Sequence, residues 1–223
     1  MRRAVIVAGG RKTPELVRRQ VTDEGAQILI AADSGMEVFY ELGIAPHVIV
    51  GDFDSVNPEI AAFFRQDKKI CFHELNPVKD DTDTEAAIRL AISMGAQEIA
   101  LFGAIGTRMD HVLGNIELLG IGLKAGVPIV ILDDANRIRM IDRSVRLAKK
   151  DQYGDYVSFV PYTKDGVVIT LRGFKYPLDH YFLTGGTSLC ISNEITADVA
   201  EVIFERGVLL MMETRDSCSS MKT

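Results

Sequence analysis

The first half of the chain alternates short apolar runs with amphipathic helix patterns, and this alternation limits the folds that it can adopt. The apolar runs are rich in Val and Ile and do not alternate strictly with polar residues, which is typical of strands covered on both faces. They lie at residues 4–8, 28–32, 47–50, 69–72, 98–102 and 128–132. Helix patterns lie between them, at residues 13–21, 34–42, 58–64, 84–94 and 111–124. This order predicts an α/β domain with a mostly parallel sheet and right-handed crossovers.

The pattern changes after Asp133, where helix periodicity stops. Short strand patterns separated by turn residues take its place, at residues 138–141, 145–148, 156–160, 167–171, 188–191, 199–204 and 208–212. Such closely spaced strands with Gly and Asp turns between them predict an antiparallel β-sandwich. We therefore expect an α/β N-terminal domain at residues 1–135 and a C-terminal β-sandwich domain at residues 136–223.

Composition excludes several classes of partner. The net charge of −6 and the pI of about 5.3 argue against a broad nucleic-acid surface, which needs a basic face. The apolar runs are strand-sized and shorter than the ~20 residues that a membrane-spanning helix requires. The three cysteines are scattered, which suits a reducing compartment. We expect a cytoplasmic protein that binds neither nucleic acid nor membrane.

Acidic residues follow the predicted strands of the first domain. In a parallel sheet, ligands bind beyond the carboxyl ends of the strands. The acids at these positions are Asp33, Asp52, Asp54, Asp80, Asp81, Asp83 and Asp110. Any one of them is equally well explained as a helix cap or turn former. Together at one sheet edge they predict a Mg²⁺ site, because Mg²⁺ prefers carboxylate oxygens and completes its shell with water and substrate phosphate.

The segment before the fourth predicted helix has two compatible interpretations. Thr82 and Glu85 match the start of a capped helix. Capping does not account for Asp80 and Asp81. Three acids within four residues repel one another, and a bound cation would relieve that repulsion. A capped helix would then hold Asp80 and Asp83 in fixed positions beside the ion.

A loop of small residues at 103–107 leads through Arg108 to a helix start at Asp110 and His111. Small residues let backbone amides approach a phosphate, and a helix N-terminus favours an anion. Arg108 adds a bidentate donor, although a plain tight turn would look similar. The Walker lysine motif, the nucleophile elbow and the dinucleotide fingerprint are absent from the sequence. Direct in-line transfer to a substrate hydroxyl, carried by positioning and metal electrostatics, is therefore the simplest chemistry.

These segments together resemble the thiamine pyrophosphokinase family. The match keeps its order through most of the chain. The matching segments are 31–35 (AADSG), 51–55 (GDFDS), 79–85 (KDDTDTE), 106–111 (GTRMDH) with Asn115, 173–178 (GFKYPL) and 192–194 (SNE). Each motif alone is moderately specific, and the ordered set is highly specific.

The resemblance implies a Mg²⁺-dependent reaction in which ATP and thiamine give AMP and thiamine diphosphate. It also implies a homodimer with active sites between the subunits. The residues that it implies for Mg²⁺ and catalysis are Asp52, Asp54, Asp80 and Asp83, with Asp110 also catalytic. Those implied for the ATP side are Asp33, Gly103, Thr107, Arg108, His111 and Asn115. Ser192 and Asn193 are implied for thiamine. Either Asp83 or Asp110 serves as the base in this scheme.

Three alternatives stay open from the sequence. Asp52-Phe53-Asp54-Ser55 also resembles the nucleophile motif of haloacid-dehalogenase phosphatases, although that motif usually follows the first strand and here follows the third. A related diphosphokinase acting on a hydroxymethylpterin is the second alternative. The third is a non-catalytic sensor of nucleotide or thiamine diphosphate on the same scaffold.

Overall fold

The computed structural model describes residues 2–53, 56–76 and 81–216. The chain divides into two compact units, Met1–Asp133 and Asp134–Thr223. Among the helices of the described residues, none is long and apolar enough to cross a membrane.

The first unit contains a six-stranded sheet in which every neighbouring pair is parallel. Its strands are β1 (Arg3–Val7), β2 (Ile28–Ala32), β3 (Val48–Gly51), β4 (Cys71–Glu74), β5 (Glu98–Phe102) and β6 (Ile129–Leu132). Their order across the sheet is β4-β3-β2-β1-β5-β6. The central strands are almost fully buried on both faces, which accounts for their continuous apolar runs. The predicted mostly parallel sheet is confirmed.

Helices follow the strands of this unit. They are α1 (Pro14–Thr22), α2 (Met36–Leu42), α3 (Pro58–Arg65), α4 (Asp83–Ser93), α5 (Met109–Glu117) and α6 (Leu119–Ala125). Asn57 caps α3 by accepting a hydrogen bond from the Glu59 amide at 2.9 Å. Gly43 and Gly126 end α2 and α6 in the left-handed conformation that favours glycine at this position.

The helix predicted at 111–124 is two helices in the structure. Leu118 separates α5 from α6, and its carbonyl accepts a tight three-residue hydrogen bond from Ile121 at 3.0 Å. Residues are buried on both sides of the junction, Asn115 in α5 and Leu119 in α6, so the helical spacing of buried residues continues through it. Periodicity alone therefore predicted the buried face and missed the break.

The second unit has two antiparallel sheets. Its strands are β7 (Asn136–Ile141), β8 (Val145–Ala148), β9 (Tyr156–Pro161), β10 (Val167–Arg172), β11 (Leu178–Leu183), β12 (Val199–Ile203) and β13 (Leu209–Thr214). β13 pairs with both β7 and β9, and the other sheet has the order β11-β10-β12-β8. Side chains of both sheets share one apolar core, which includes Phe159, Ile169 and Met211. This arrangement is the sandwich that the turn spacing predicts.

One strand prediction in this unit is wrong. Residues 188–191 form turns, and Cys190 is buried there while its carbonyl accepts a hydrogen bond from the Phe159 amide at 2.9 Å. The sequence analysis missed β11 (Leu178–Leu183), which lies at the edge of its sheet with most side chains exposed. An exposed edge strand has little apolar alternation, so its pairing is invisible to a pattern based on burial.

Gly35 lies where the turn after β2 crosses the backbone of β1. A Cβ at Gly35 would lie 1.9 Å from the Val7 carbonyl oxygen, well inside any allowed contact. The two segments can approach this closely only because residue 35 has no side chain.

We predict that Gly35→Ala lowers the free energy of unfolding by roughly 1–3 kcal/mol, the usual cost of overpacking. Gly114→Ala is the control, because a Cβ there meets nothing within 4 Å. In the interior of α5, that change should be neutral or stabilising by up to about 1 kcal/mol. Urea unfolding of both variants tests the pair, and equal stabilities would contradict the packing argument.

Candidate active site

A cavity of about 470 Å³ opens at the carboxyl edge of the parallel sheet in the first unit. β1 lies between β2 and β5. The strands β2, β3 and β4 extend the sheet on one side of β1, and β5 and β6 extend it on the other, so the strand order reverses between β1 and β5. Ligands in open α/β sheets bind in the crevice at such a reversal. The lining residues are Ala8, Gly9, Gly10, Ala32, Asp33, Ser34, Thr82, Asp83, Thr84, Gly103, Ala104, Gly106, Thr107, Arg108, His111 and Asn115.

Two loops of small residues form one wall of this cavity. The loop after β1 and the loop after β5 are joined by backbone hydrogen bonds, from the Gly10 amide to the Gly103 carbonyl at 2.8 Å and from the Arg11 amide to the Ile105 carbonyl at 2.6 Å. A Cβ at Gly103 would lie 2.1 Å from the Ala8 carbonyl oxygen, and one at Gly10 would lie 2.4 Å from that of Gly103. Glycine at both positions therefore allows the loops to close together and present backbone to a ligand.

Asn115 holds the second of these loops from behind. It lies on α5 and is 9% exposed, and its side-chain amide donates to the Ala104 carbonyl at 2.8 Å. The helix thereby fixes the course of the loop at the cavity. Gly103, Thr107 and His111, predicted for the nucleotide side, line the same cavity.

Three carboxylates converge at the sheet edge. Oxygen atoms of Asp33, Asp52 and Asp83 all lie within 4.8 Å of one another. Asp33 begins the turn after β2, Asp52 follows β3, and Asp83 is the first residue of α4. The sequence analysis placed Asp52 and Asp83 in the metal site and Asp33 on the ATP side, and the structure brings all three into one group. Asp54 and Asp80, also predicted as metal ligands, lie outside the described residues.

Local backbone geometry brings two of these acids together. Asp33 has a left-handed conformation with φ of 49°, which costs a non-glycine residue of order 1 kcal/mol. A Cβ at Gly51 would lie 3.2 Å from Cα of Asp33, so the ends of β2 and β3 are in close contact. Asp52 follows directly, and its position next to Asp33 is a consequence of that approach.

A helix cap fixes the third acid. Thr82 accepts a hydrogen bond from the Glu85 amide at 3.2 Å, as the capping pattern predicts. The Glu85 carboxylate binds Arg89, one turn further along, at 2.6 Å. Asp83 therefore lies on a rigid first turn.

The donor set fits a hard divalent cation. All three side chains offer carboxylate oxygens, which are the ligands that Mg²⁺ prefers in proteins, whereas Zn²⁺ and copper sites use nitrogen or sulfur. Three carboxylates at this separation repel one another unless a cation lies among them. The residues present therefore suit Mg²⁺ and leave room for water or phosphate oxygens in its shell.

Arg108 and Asp110 form an ion pair at the start of α5. Nη2 of Arg108 lies 2.6 Å from Oδ2 of Asp110, and both side chains are about two-thirds exposed, at 69% and 65%. The hydrogen bond from Arg108 is the main cause that lowers the pKa of Asp110 to about 2. The same bond raises the pKa of Arg108. Asp110 is thus ionised at any physiological pH and has its charge directed at Arg108.

Ser192 and Asn193 lie in the second unit. Ser192 is exposed with φ of 56°, and its amide donates to Oγ of Ser158 at 2.9 Å. The buried Asn193 side chain accepts from the Tyr176 amide at 3.0 Å and donates to the Tyr176 carbonyl at 2.8 Å. The amide of Glu194 also donates to Asn193. Asn193 therefore holds the Tyr176 segment in place through its own side chain.

The sequence analysis did not identify part of the cavity wall. Gly9 and Gly10 line the cavity, but they lie just after the first apolar run at residues 4–8 and were given no role in the predicted site. Two glycines directly after a strand were the available signal. Ser34, Thr82 and Thr84 were also not assigned to the site, since small hydroxyl residues occur in every kind of turn.

Comparison with known proteins gives consistent matches. Residues 20–131 match the family described as thiamin pyrophosphokinase, catalytic domain, and residues 143–209 match its vitamin B1 binding domain. The thiamine pyrophosphokinase of Bacillus subtilis (strain 168) is 37% identical over 215 residues, which cover 95% of this chain and 98% of that protein.

Solved structures agree with this match. A crystal structure of thiamine pyrophosphokinase from Bacillus subtilis superposes with a TM-score of 0.86 at 32% identity, covering 97% of this chain and 100% of the other. One from Geobacillus thermodenitrificans has a TM-score of 0.81 at 31% identity, covering 97% and 99%. The similarity therefore extends over both units.

We predict that Arg108→Gln raises the pKa of Asp110 from about 2 toward its ordinary value near ~3.9, because the main hydrogen bond is removed. A carboxyl pKa that is lower in the folded protein than in the unfolded chain stabilises the folded state at pH values above the unfolded-chain pKa. That stabilisation is lost as the pH falls from about 4 to about 2. Carboxyl-carbon NMR titration measures the change. If the Asp110 titration is unaltered in Arg108→Gln, Arg108 is not the cause of the lowered pKa of Asp110.

We predict that Asn193→Ala destabilises the protein by roughly 1–3 kcal/mol, because it removes a buried side chain that makes three hydrogen bonds to the backbone of Tyr176 and Glu194. Ser192→Ala is the matched neighbour, since the Ser192 amide keeps its bond to Ser158. Thermal unfolding compares the two variants. A loss of stability in Ser192→Ala as large as that in Asn193→Ala would contradict this assignment.

Proposed function

The chain belongs to the thiamine pyrophosphokinase family, and from that premise we propose that it transfers a diphosphate from ATP to the hydroxyl of thiamine. The products are AMP and thiamine diphosphate. One observation carries the proposal at the level of geometry: the carboxylates of Asp33, Asp52 and Asp83 converge within 4.8 Å, and Asp33 and Asp83 line a cavity that small-residue loops also line. A polyphosphate is bound by a cation and by backbone donors. The three carboxylates could hold the cation, and the small-residue loops would supply the donors.

The nucleotide side of the proposed site has two kinds of residue. The Gly10 amide is used within the wall by its bond to the Gly103 carbonyl. The amides of Gly9 and of the loop at 103–107 would donate to phosphate oxygens, with Thr107 and Arg108 adding side-chain donors. Asn115 acts through the loop, because its amide is bound to Ala104. His111 lies in the first turn of α5, where the helix N-terminus favours an anion.

Mg²⁺ would be held by Asp52 and Asp83 with Asp33, and the sequence adds Asp54 and Asp80. When bound, Mg²⁺ neutralises phosphate charge and helps to orient the diphosphate for in-line attack. The protein residues hold their carboxylates in one place before the substrate arrives. This arrangement lowers the reorganisation needed at the moment of transfer.

In the proposed reaction, the hydroxyl oxygen of thiamine forms a bond to the β-phosphorus of ATP. The bond from that phosphorus to the bridging oxygen of the α-phosphate breaks, and the bridging oxygen leaves with its electron pair on AMP. The hydroxyl proton passes to a carboxylate. We propose Asp83 for this role, because it lines the cavity, whereas Asp110 has a pKa of about 2 and is hydrogen bonded to Arg108. Late proton transfer in a loose transition state requires no strong base.

We propose separate roles for the two units, a homodimeric assembly and a cytoplasmic location. We assign nucleotide binding and catalysis to residues 1–135 and thiamine binding, through Ser192 and Asn193, to residues 136–223. Support for the second assignment comes from the match of residues 143–209 to a vitamin B1 binding domain. The family resemblance supports a homodimer with active sites between the subunits, and the scattered cysteines support a cytoplasmic location.

The comparisons favour none of the three alternatives left open by the sequence. A coupled assay of AMP release with ATP and Mg²⁺, run with and without thiamine, tests the proposal. Thiamine-dependent AMP release with one thiamine diphosphate per AMP is the expected result. Release of inorganic phosphate would favour the phosphatase, turnover of hydroxymethylpterin would favour the pterin enzyme, and binding without AMP would favour the sensor.

We predict that Asp52→Asn and Asp83→Asn each lower thiamine-dependent AMP release by about 100-fold or more, because each removes a charged ligand from the acid group. The circular dichroism spectrum should be unchanged. Asp165→Asn, in an exposed turn of the second unit, makes the same change of charge and should keep wild-type turnover. Full activity of Asp52→Asn would argue strongly against the proposed metal site.

A further inference from the structure

Phe53 lies directly after one of the three convergent acids and has a backbone conformation that such a residue rarely adopts. Its φ is 63°, in the left-handed region. For a bulky non-glycine side chain this conformation is strained, and it persists only when surrounding contacts require it. The contacts of the Phe53 side chain therefore account for the persistence of this conformation.

Side chains from α3 and β4 surround the Phe53 ring. The ring of Phe72 meets it edge-on, with centroids 5.7 Å apart and planes at 69°. The Arg65 guanidinium carbon lies 5.5 Å from the Phe53 centroid and 4.6 Å from that of Phe72. Glu74 in turn binds Nη2 of Arg65 at 2.6 Å. We name this set, Phe53, Arg65, Phe72 and Glu74, the Phe53 clamp.

Asp52 therefore has an anchor on each side. On the preceding side, Gly51 packs against the Asp33 backbone, where a Cβ would lie 3.2 Å from Cα of Asp33. On the following side, the clamp holds Phe53. Because the residues before and after Asp52 are both fixed, the direction of its carboxylate is restricted before any ligand binds.

We propose that the Phe53 clamp positions Asp52 for metal binding, with Arg65 and Phe72 as positioning residues that do not touch the metal or the substrate. The inference rests on the proposed function for the use of the site. Neither side chain lines the cavity. Arg65 is the last residue of α3, and Phe72 lies on the edge strand β4. The aromatic contact with Phe72 and the cation–π contact with Arg65 together offset the strain of the left-handed backbone at Phe53. Loss of either contact lets the backbone beside Asp52 relax.

The test measures Mn²⁺ binding by electron paramagnetic resonance in the absence of nucleotide. Mn²⁺ uses the same oxygen donors as Mg²⁺, and its free signal reports binding directly. We expect Phe72→Leu and Arg65→Met each to raise the Mn²⁺ dissociation constant by about 3- to 10-fold. Arg65→Lys, which keeps the charge and loses the planar group, should fall between wild type and Arg65→Met.

Phe63→Leu is the matched control. It removes an exposed aromatic ring from the same helix, and that ring packs against Tyr40 and Phe64. This variant should bind Mn²⁺ with wild-type affinity.

A coupling measurement separates positioning from general stability. In an Asp52→Asn background, Phe72→Leu should add little further loss of Mn²⁺ affinity, because the clamp acts through the Asp52 carboxylate. An equal loss in both backgrounds would overturn the proposal. An Mn²⁺ affinity within twofold of wild type in folded Phe72→Leu or Arg65→Met would also overturn it. If Phe72→Leu does not fold, the Mn²⁺ affinity of Arg65→Met decides, because the Arg65 side chain is half-exposed.

The clamp and the proposed function fail in different experiments. A wild-type protein that binds Mn²⁺ more tightly than its clamp variants but releases no AMP with thiamine would refute the function and leave the clamp intact. Thiamine-dependent turnover with unchanged Mn²⁺ affinity in the clamp variants would refute the clamp and support the function. Absence of Mn²⁺ binding by the wild type would overturn the clamp, while AMP release would still decide the function.

Discussion

The mutual repulsion of three carboxylates is the constraint around which the first unit is organised. Asp33, Asp52 and Asp83 lie close enough to raise one another's energy, and they come from three separate segments of the chain. The fold keeps them together through backbone packing and a helix cap, which do not depend on charge. Folding thus supplies in advance the energy that brings the carboxylates together, and a cation bound among them would recover part of that energy.

Tight backbone approaches hold the whole sheet edge. Gly35 lies against β1 and Gly103 against Ala8, each at a distance that excludes a side chain, and Gly51 lies close against Asp33. Left-handed backbone at Asp33 and Phe53 occurs at the same edge. Strain of this kind persists where surrounding structure over-determines it, and such places are often functional sites. Here the strained residues are one acid of the group and the neighbour of another.

The two halves of the site have opposite electrostatic character. The acids would attract a cation, while the loops and the helix N-terminus beside Arg108 would attract the phosphate oxygens. Asp110 is not one of the acids that converge, and it is hydrogen bonded to Arg108. In the proposed site, that separation would keep Arg108 near the phosphates without adding a further negative charge to the metal ligands.

The sequence by itself determined the elements and the two-part plan, because burial periodicity and turn residues are local properties of the chain. It failed where burial leaves no local signal, as in the exposed edge strand β11 and the turns at 188–191. It also marked Asp33, Asp52 and Asp83, with other acids, as lying at one edge of the sheet. Only the tertiary structure decided that these three converge as one group, and that the loop at Gly9 and Gly10 forms a cavity wall. Those facts depend on strand order and on close backbone contacts between segments far apart in sequence, and no local pattern encodes such contacts.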